Sequence, residues 1–380
     1  MKSVEVGVLF PYAENYDSHY GGAIARWVHN VNKDISPAYE FTYFAAGFDN
    51  NYEGHKVSSL YGAYCGLIKK AERKFGGNSI LNFFLYYLKK LTCRDVLWAS
   101  SLINKLNKCD VVILHNRPLL SRLLRRLGYK GKIIIHMHNS FFASLEVNEL
   151  AKAIKAADKI LFCSNFLMDE ASNRFPEINL KSSVIYNGVH SASHVVKNKE
   201  DRVLFAGRLI DDKGILELIS GFEIFSKKYP TYTLCIAGGV NSGTSNQTSH
   251  YLKLINKKIE GSSVKNRIKL LGYLEHNELI NEMLDSEIFA VPSKWKEPFG
   301  MVALEAYVSG CKVIATADGG MPEILKSDGY YCVCSPESIA KQLALASEHK
   351  NYQPDINNDF YWPRITQNFE EILAEVNHVQ

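Results

Sequence analysis

Short apolar runs separated by amphipathic stretches recur along the whole chain. In the first half, runs rich in Val, Ile and Phe predict β-strands at 4–10, 39–45, 110–115, 132–138 and 159–164. In the second half, five similar runs predict strands at 202–207, 232–238, 267–272, 287–292 and 311–317. Because most of these runs are apolar throughout rather than alternating, they indicate strands that are buried on both faces of a parallel sheet.

The stretches between the runs have helical periodicity. Helices are predicted at 22–34, 148–157, 213–229, 275–285, 300–309 and 335–348, and a further one after Pro363. Strands that alternate with helices are typical of α/β proteins, so the predicted fold is two doubly wound, Rossmann-like domains that face a central cleft. The polar stretch 190–201 predicts the linker, which places the domains at 1–195 and 196–360.

Length and composition agree with this organisation. A chain of 380 residues suggests two domains, and 46% hydrophobic with 22% charged residues is ordinary for a globular protein. No apolar run is long enough to cross a bilayer, and the N-terminus lacks the pattern of a signal peptide, which predicts a cytoplasmic location. The eight cysteines contain no C-x-x-C pair, so reduced thiols are predicted rather than disulfides or zinc.

Charge is divided unevenly along the chain. Residues 1–200 carry 26 Lys and Arg against 17 Asp and Glu, whereas the remaining residues carry 18 against 23. A basic half joined to an acidic half predicts different partners for the two halves.

Two cations follow the first strand of the second half. Arg208 and Lys213 come after the strand 202–207, and Gly214 stands beside the lysine. A strand, a tight turn and two cations ahead of a helix favour an anion site, because the helix N-terminus adds partial positive charge. The alternative is a pair of solvated surface cations.

Two glutamates flank the apolar stretch in "KEPFGMVALEAYVSG". The proline suits the first turn of a helix, and Phe299, Gly300 and Met301 would offer backbone N–H groups to a diphosphate. Glu297 comes just before these N–H groups, and Glu305 lies roughly 10 Å further along the helix axis. One carboxylate could then bind hydroxyls on each side of the phosphates. The alternative, one capping and one exposed carboxylate, leaves the apolar surroundings of Glu305 unexplained.

These motifs resemble the donor site of the retaining family 4 glycosyltransferases, which have the GT-B fold. The resemblance rests on "GRLIDDKG" followed by "EPFGMVALEA", with "YGGAIARWV", "HMHNS", "VIYNGV" and "GGMPEI" in order along nearly the whole chain. The string "IIIHMHNSF" with "DKGI" is most similar to bacterial lipopolysaccharide core hexosyl- and N-acetylglucosaminyltransferases. In the resembled fold, the last helix, at 361–380 here, packs back on the N-terminal domain.

The resemblance implies a role for particular residues. Glu305 would bind the ribose and Glu297 the donor sugar, while Arg208 and Lys213 would neutralise the diphosphate. The backbone of Phe299, Gly300 and Met301, and Gly22 in the first loop, would also approach the phosphates. Tyr273 would lie near the base, and His138 corresponds to the family's active-site histidine near the sugar.

A metal site is an alternative interpretation of one motif. His136 and His138 are two apart in a strand, as a metal pair would be, but no third ligand is obvious nearby. The chain contains no Asp-x-Asp, by which many glycosyltransferases hold a divalent ion. The prediction is therefore a reaction without metal or other cofactor, with the nucleotide-sugar as a substrate.

The implied reaction is retaining transfer by front-side attack. Departure of a nucleoside diphosphate leaves an oxocarbenium-like sugar, so stabilising the leaving group is the main task. The departing phosphate oxygen would take the acceptor's proton, and His138 would provide polar stabilisation and positioning.

The basic residues of the first half indicate where the acceptor binds. Residues 66–94 contain seven Lys and Arg with one acidic residue, interleaved with Phe, Tyr and Leu, and a second basic group follows in Arg117, Arg122, Arg125, Arg126, Lys130 and Lys132. This favours peripheral binding to an anionic membrane on its cytoplasmic face, or a lipid-linked or phosphorylated saccharide acceptor. No nucleic-acid-binding motif accompanies the charge. A solvated helical face is the alternative.

Four other functions are alternatives to a glycosyltransferase. A nucleotide-sugar epimerase or a phosphorylase could share the architecture, and an epimerase would release product without an acceptor. A dinucleotide oxidoreductase is disfavoured because no strand is followed by G-x-G-x-x-G. A catalytically inactive binding protein is disfavoured by the intact pair of Glu297 and Glu305. The resemblance alone implies that the donor is UDP-linked.

Overall fold

Two parallel sheets organise the chain. The structure, a computed structural model, describes residues 3–11, 16, 22–45, 55–58, 93–140, 145–191, 199–239 and 245–378. Contacts divide it into one unit of Met1–Asn187 with Trp362–Gln380 and a second unit of Gly188–Tyr361.

The first unit contains a sheet of seven strands in its described part. The strands are β1 Val4–Leu9, β2 Tyr39–Ala45, β3 His55–Ser58, β4 Val111–His115, β5 Lys132–Met137, β6 Lys159–Phe162 and β7 Ser182–Val184. The helices are α1 Ala23–Asp34, α2 Cys93–Leu106, α3 Leu119–Arg126, α4 Val147–Ala156 and α5 Asn165–Arg174. The strand order is β3-β2-β1-β4-β5-β6-β7, and neighbours run parallel.

The second unit repeats the plan with six strands in its described part. The strands are β8 Glu200–Ala206, β9 Thr233–Ala237, β10 Ile268–Gly272, β11 Ser286–Val291, β12 Lys312–Thr316 and β13 Tyr330–Cys332. The helices are α6 Ile215–Phe225, α7 Ser245–Glu260, α8 His276–Asp285, α9 Met301–Val308, α10 Met321–Leu325 and α11 Pro336–Glu348. The order is β10-β9-β8-β11-β12-β13, again parallel.

The last helix, α12 Trp362–His378, belongs to the first unit. Its apolar positions recur at helical spacing, and Trp362, Ile365 and Phe369 are buried in the same core as α1. The rings of Trp27 on α1 and Phe369 meet edge to face, with centroids 5.0 Å apart. The chain thus returns to the first unit after completing the second.

The predicted α/β fold is confirmed. All ten predicted strands form, with ends that differ by at most two residues, because fully buried apolar runs dominate them. The strands that were not predicted are β3, β7 and β13, which are three or four residues long and lie at sheet edges. Runs that short carry too little pattern to be distinguished from loops.

The basic regions of the first half are described only in part. The basic-aromatic stretch 66–94 lies outside the described residues except for 93 and 94, where α2 begins. In the second basic group, Arg122 pairs with Glu149, and Arg125 lies 2.7 Å from Asp158. Part of the positive charge of this group is therefore neutralised by ion pairs within the unit. None of the helices in the described residues is both long enough and apolar enough to cross a membrane.

Candidate active site

The site lies where the order of strands in the second sheet reverses. β8 and β11 are neighbours, but the chain leaves them toward opposite edges of the sheet. In an open parallel sheet, ligands bind outside the carboxyl ends of the strands at such a point. The two segments that leave there, 207–214 and 292–300, carry five of the ten candidate site residues, namely Arg208, Lys213, Glu297, Phe299 and Gly300.

These two segments are held together as one block. Gly214 has φ +66°, and a Cβ there would overlap the carbonyl oxygen of Pro292, so only glycine lets the segments approach. The backbone N–H of Lys294 donates to the carbonyl of Asp212 at 2.8 Å. The ammonium of Lys294 lies 2.8 Å from Asp211. Residues 84 positions apart, Lys213 and Glu297, are thereby brought side by side.

Lys213 and Glu297 form an ion pair with little solvent access. Their side chains are 15% and 9% exposed, so the interpretation of Lys213 as a solvated surface cation is wrong. The carboxylate oxygen Oε1 that accepts from Lys213 also accepts from Ser293 Oγ at 2.7 Å and from Trp295 Nε1 at 2.9 Å. Sequence reasoning missed Ser293 and Trp295, although both stand between β11 and Glu297, where a site residue is expected.

The start of α9 lies directly beyond this pair. Gly300 has φ +98°, and a Cβ there would overlap the Met321 side chain, so this turn into the helix requires glycine. The first helical bond runs from Leu304 N–H to Gly300 carbonyl at 3.1 Å. Helix starts of this kind are able to bind anions, because the N–H groups of a first turn point out of the helix end. Phe299 is buried, and its ring lies 5.9 Å from that of Phe360.

Glu305 lies on the buried side of the same helix and is 7% exposed. Its Oε1 is 4.0 Å from Nδ1 of His276, a half-exposed residue at the start of α8. The alternative of an exposed carboxylate is therefore wrong for Glu305. His276 was not singled out from the sequence, since a histidine at a helix start carries no pattern of its own.

A pocket of about 160 Å³ opens beside this block. Its lining includes Arg208, the glycine pair Gly238–Gly239, Tyr273 and Val302. Arg208 is exposed, and the Tyr273 side chain is about half exposed, so both are accessible to a ligand. The structure thus brings Arg208 and Tyr273 to one pocket, whereas Lys213, Glu297 and Glu305 are not part of its lining.

The remaining predicted residues lie in the first unit. Gly22 is exposed at the N-cap of α1. His138 follows β5 and is 9% exposed, and its backbone N–H donates to Oδ1 of Asn116 at 2.7 Å. Asn116 has φ +52°, an uncommon value outside glycine that asparagine tolerates.

Burial keeps His138 neutral. Burial lowers its pKa to about 3, while the side chain of Asn187 acts in the opposite direction. Its Nε2 lies 3.0 Å from Nδ1 of His115, so one of these two nitrogens carries the shared hydrogen. Burial and the neighbouring histidines also lower the pKa of His115 and His136 well below its usual value. A neutral His138 fits polar positioning rather than proton delivery from an imidazolium.

The expectation that no third metal ligand is nearby is wrong. His115, the last residue of β4, joins His136 and His138, with candidate ligand nitrogens within 4.8 Å of one another. Two nitrogens on one tetrahedral zinc lie about 3.4 Å apart, given bonds of about 2.1 Å. The rings of His136 and His138 are tilted at 39° to each other, with centroids 4.0 Å apart. His115 and His138 form the close nitrogen pair of this cluster, and His136 lies beside them.

Comparison with known proteins identifies the class. Residues 42–193 match the model of Glycosyltransferase Family 4, and residues 189–359 match that of Glycosyl transferases group 1. The chain therefore belongs to the GT-B glycosyltransferases, with a family 4 region followed by a group 1 region, and it is a glycosyltransferase enzyme. The resemblance noted in the sequence motifs is confirmed.

Individual relatives are distant but cover most of the chain. A lipopolysaccharide 1,2-N-acetylglucosaminetransferase of Salmonella typhimurium is 24% identical over 92% of each chain. A putative glycosyltransferase, YtcC, of Bacillus subtilis is 25% identical over 86% of this chain and 79% of its own.

Solved structures share the fold. A glycosyltransferase from Rickettsia africae has a TM-score of 0.74 and 16% identity over the whole of both chains. HepE of Anabaena, in complex with UDP and glucose, has a TM-score of 0.69 and 17% identity over 98% of this chain and 99% of its own.

Proposed function

We propose that this enzyme transfers a hexose or N-acetylhexosamine, with retention, from a UDP-sugar to a lipopolysaccharide-core or other cell-surface glycan. The observation that carries the proposal is the meeting of Lys213, Glu297 and the start of α9 at the carboxyl ends of β8 and β11. A diphosphate needs a cation and backbone N–H groups, and a sugar needs a carboxylate for its hydroxyls. That combination suits a nucleotide-sugar better than a simple phosphate.

The residues take complementary roles in this proposal. Lys213, Arg208 and the first turn of α9 stabilise the diphosphate as it leaves, which is the charge that grows in the transition state. Glu297 binds sugar hydroxyls, and Glu305 binds the ribose. Tyr273 faces the base in the pocket beside them. His138 acts as a neutral hydrogen-bonding group, in line with its lowered pKa.

The proposed acceptor rests on the name of one relative and on the basic residues in the first half of the chain. The Salmonella relative is named for a lipopolysaccharide acceptor. Arg126 and Lys130 remain exposed in the second basic group, and the stretch 66–94 adds further cations and aromatic residues. Such a composition suits a lipid-linked or phosphorylated saccharide at an anionic membrane, so the enzyme is proposed to bind peripherally to the inner face.

A donor screen tests the function. The purified protein is incubated with UDP-glucose, UDP-galactose, UDP-N-acetylglucosamine, ADP-glucose and GDP-mannose, and its melting temperature and slow donor hydrolysis are measured. We expect UDP-sugars to raise the melting temperature most and to be hydrolysed slowly to UDP and free sugar. Preference for another nucleotide would overturn the UDP assignment. Conversion of one UDP-sugar into an isomer without an acceptor would identify an epimerase instead.

Glu305→Ala should weaken UDP binding without changing sugar preference. Its proposed partner is the ribose, which every donor with this nucleotide shares, and losing a hydrogen bond to a charged group costs about 1.5–3 kcal/mol, or roughly tenfold or more in affinity. Calorimetry with UDP gives the affinity, and rates with two UDP-sugars give the preference. His276→Ala is the control, because it removes the histidine beside Glu305 and leaves the carboxylate in place. Unchanged affinity for UDP in Glu305→Ala would refute this role.

Activity should survive EDTA. In the proposed site, cations and helix N–H groups take the place of a divalent ion at the diphosphate. Transfer or slow donor hydrolysis is measured after dialysis against EDTA, with untreated enzyme as the control. Complete loss that magnesium or manganese restores would show that the diphosphate requires a metal.

A further inference from the structure

Within the described part of the chain, the side-chain donors to the Glu297 carboxylate all reach the same oxygen. Lys213, Ser293 and Trp295 all donate to Oε1, and Oε2 takes none of these bonds. The donors differ in kind, because Lys213 is a cation whereas Ser293 and Trp295 are neutral. The Lys213 ammonium also lies 5.3 Å from the centre of the Trp295 ring, so the indole contacts both members of the ion pair.

This arrangement sets up a competition for Lys213. In the proposed function, the same ammonium neutralises a diphosphate, yet here its charge is already engaged by Glu297. A diphosphate carries more negative charge than one carboxylate and would draw the ammonium toward it. The Glu297 carboxylate is only 9% exposed, and a buried carboxylate that loses its cation is costly unless other donors hold it.

We infer that Trp295 is a positioning residue that holds Glu297 in place when Lys213 turns to the donor's diphosphate. This rests on the proposed function. An indole N–H can donate but cannot accept, so it can bond the carboxylate and has no acceptor to offer a sugar hydroxyl. Ser293, which is 2% exposed, supplies the second neutral donor. With Oε1 held by both, Oε2 remains for the sugar hydroxyls.

Fluorine NMR can follow the exchange directly. The chain has four tryptophans, of which Trp27, Trp98 and Trp362 lie in the first unit and Trp295 alone lies in the second. With 5-fluorotryptophan incorporated, the resonance missing in Trp295→Phe assigns Trp295. We expect that resonance to shift on saturation with UDP, because Lys213 leaves the ring, while the other three move less.

Kinetics with Trp295→Phe test the positioning role. The phenyl ring keeps the contact with Lys213 but loses the N–H donor. We expect hydrolysis of UDP-N-acetylglucosamine to slow about tenfold in kcat, as for the loss of one hydrogen bond to a charged group, with UDP affinity within about twofold of the parent. Lys296→Ala, an exposed neighbour, should match the parent in both.

The outcomes separate this inference from the proposed function. A parent protein that fails to bind UDP contradicts the proposed donor. A parent that binds UDP without a shift of the Trp295 resonance, or a Trp295→Phe variant with unchanged kcat, contradicts the role of Trp295 alone. Loss of UDP affinity in Trp295→Phe would also overturn it, because a positioning residue for Glu297 should not hold the diphosphate.

Discussion

Glu297→Gln should lower turnover about a hundredfold while leaving UDP affinity at least as high as in the parent. Glutamine keeps the shape and still accepts from Ser293 and Trp295, but it cannot stabilise positive character on the departing sugar. Removing one preorganised group of this kind costs ~3 kcal/mol in the transition state. Lys213, freed from its counter-ion, remains available to the diphosphate. Steady-state kinetics beside calorimetry with UDP measure the two effects.

Glu337→Gln, a change of an exposed glutamate in the same unit, is the control and should behave as the parent. Normal turnover in Glu297→Gln would mean that Glu297 serves only the structure of the turn before α9. A large loss of UDP affinity would instead mean that Glu297 acts on the nucleotide side.

Lys213→Met should lower kcat/KM by at least a hundredfold and also destabilise the second unit. Methionine keeps an apolar stem over Trp295 but removes the charge that stabilises the leaving diphosphate. It also leaves the carboxylate of Glu297 buried without its cation, and breaking a buried ion pair in this way costs about 3–5 kcal/mol. Kinetics and thermal unfolding measure both consequences.

The double variant Lys213→Met/Glu297→Gln separates stability from activity. Removing the second charge as well should recover most of the lost melting temperature, because no unpaired carboxylate remains, but it should not recover kcat/KM. Losses in melting temperature that simply add would show that the two side chains do not stabilise each other in solution.

Much of this fold could be predicted because its strands are buried on both faces. β4 and β11, for example, each contain four consecutive apolar residues, and such runs stand out without any knowledge of their neighbours. The predicted helices are likewise found close to their expected bounds, as with α9 at Met301–Val308. Short edge strands such as β13 escaped prediction, since three residues show no period.

The sequence predicted which residues belong to the candidate site, but not which side chains they contact. Arg208, Lys213 and Glu297 were singled out because they follow strands, where parallel sheets place ligands. Their partners could not be predicted, because the order of strands in the sheet brings β8 beside β11 although β9 and β10 lie between them in the chain. The same holds for His115 and His138, which meet only because β4 and β5 are neighbours.

The return of α12 to the first unit affects the order in which the two units can be completed during synthesis. Domains usually fold as they emerge, beginning with the N-terminal one. Here the apolar face of α1 around Trp27 is covered by Phe369, which is made only after the whole second unit. The unit that is translated first is therefore completed last. A chain that stops before Trp362 would contain all of the second unit's sequence and leave the first with an open core.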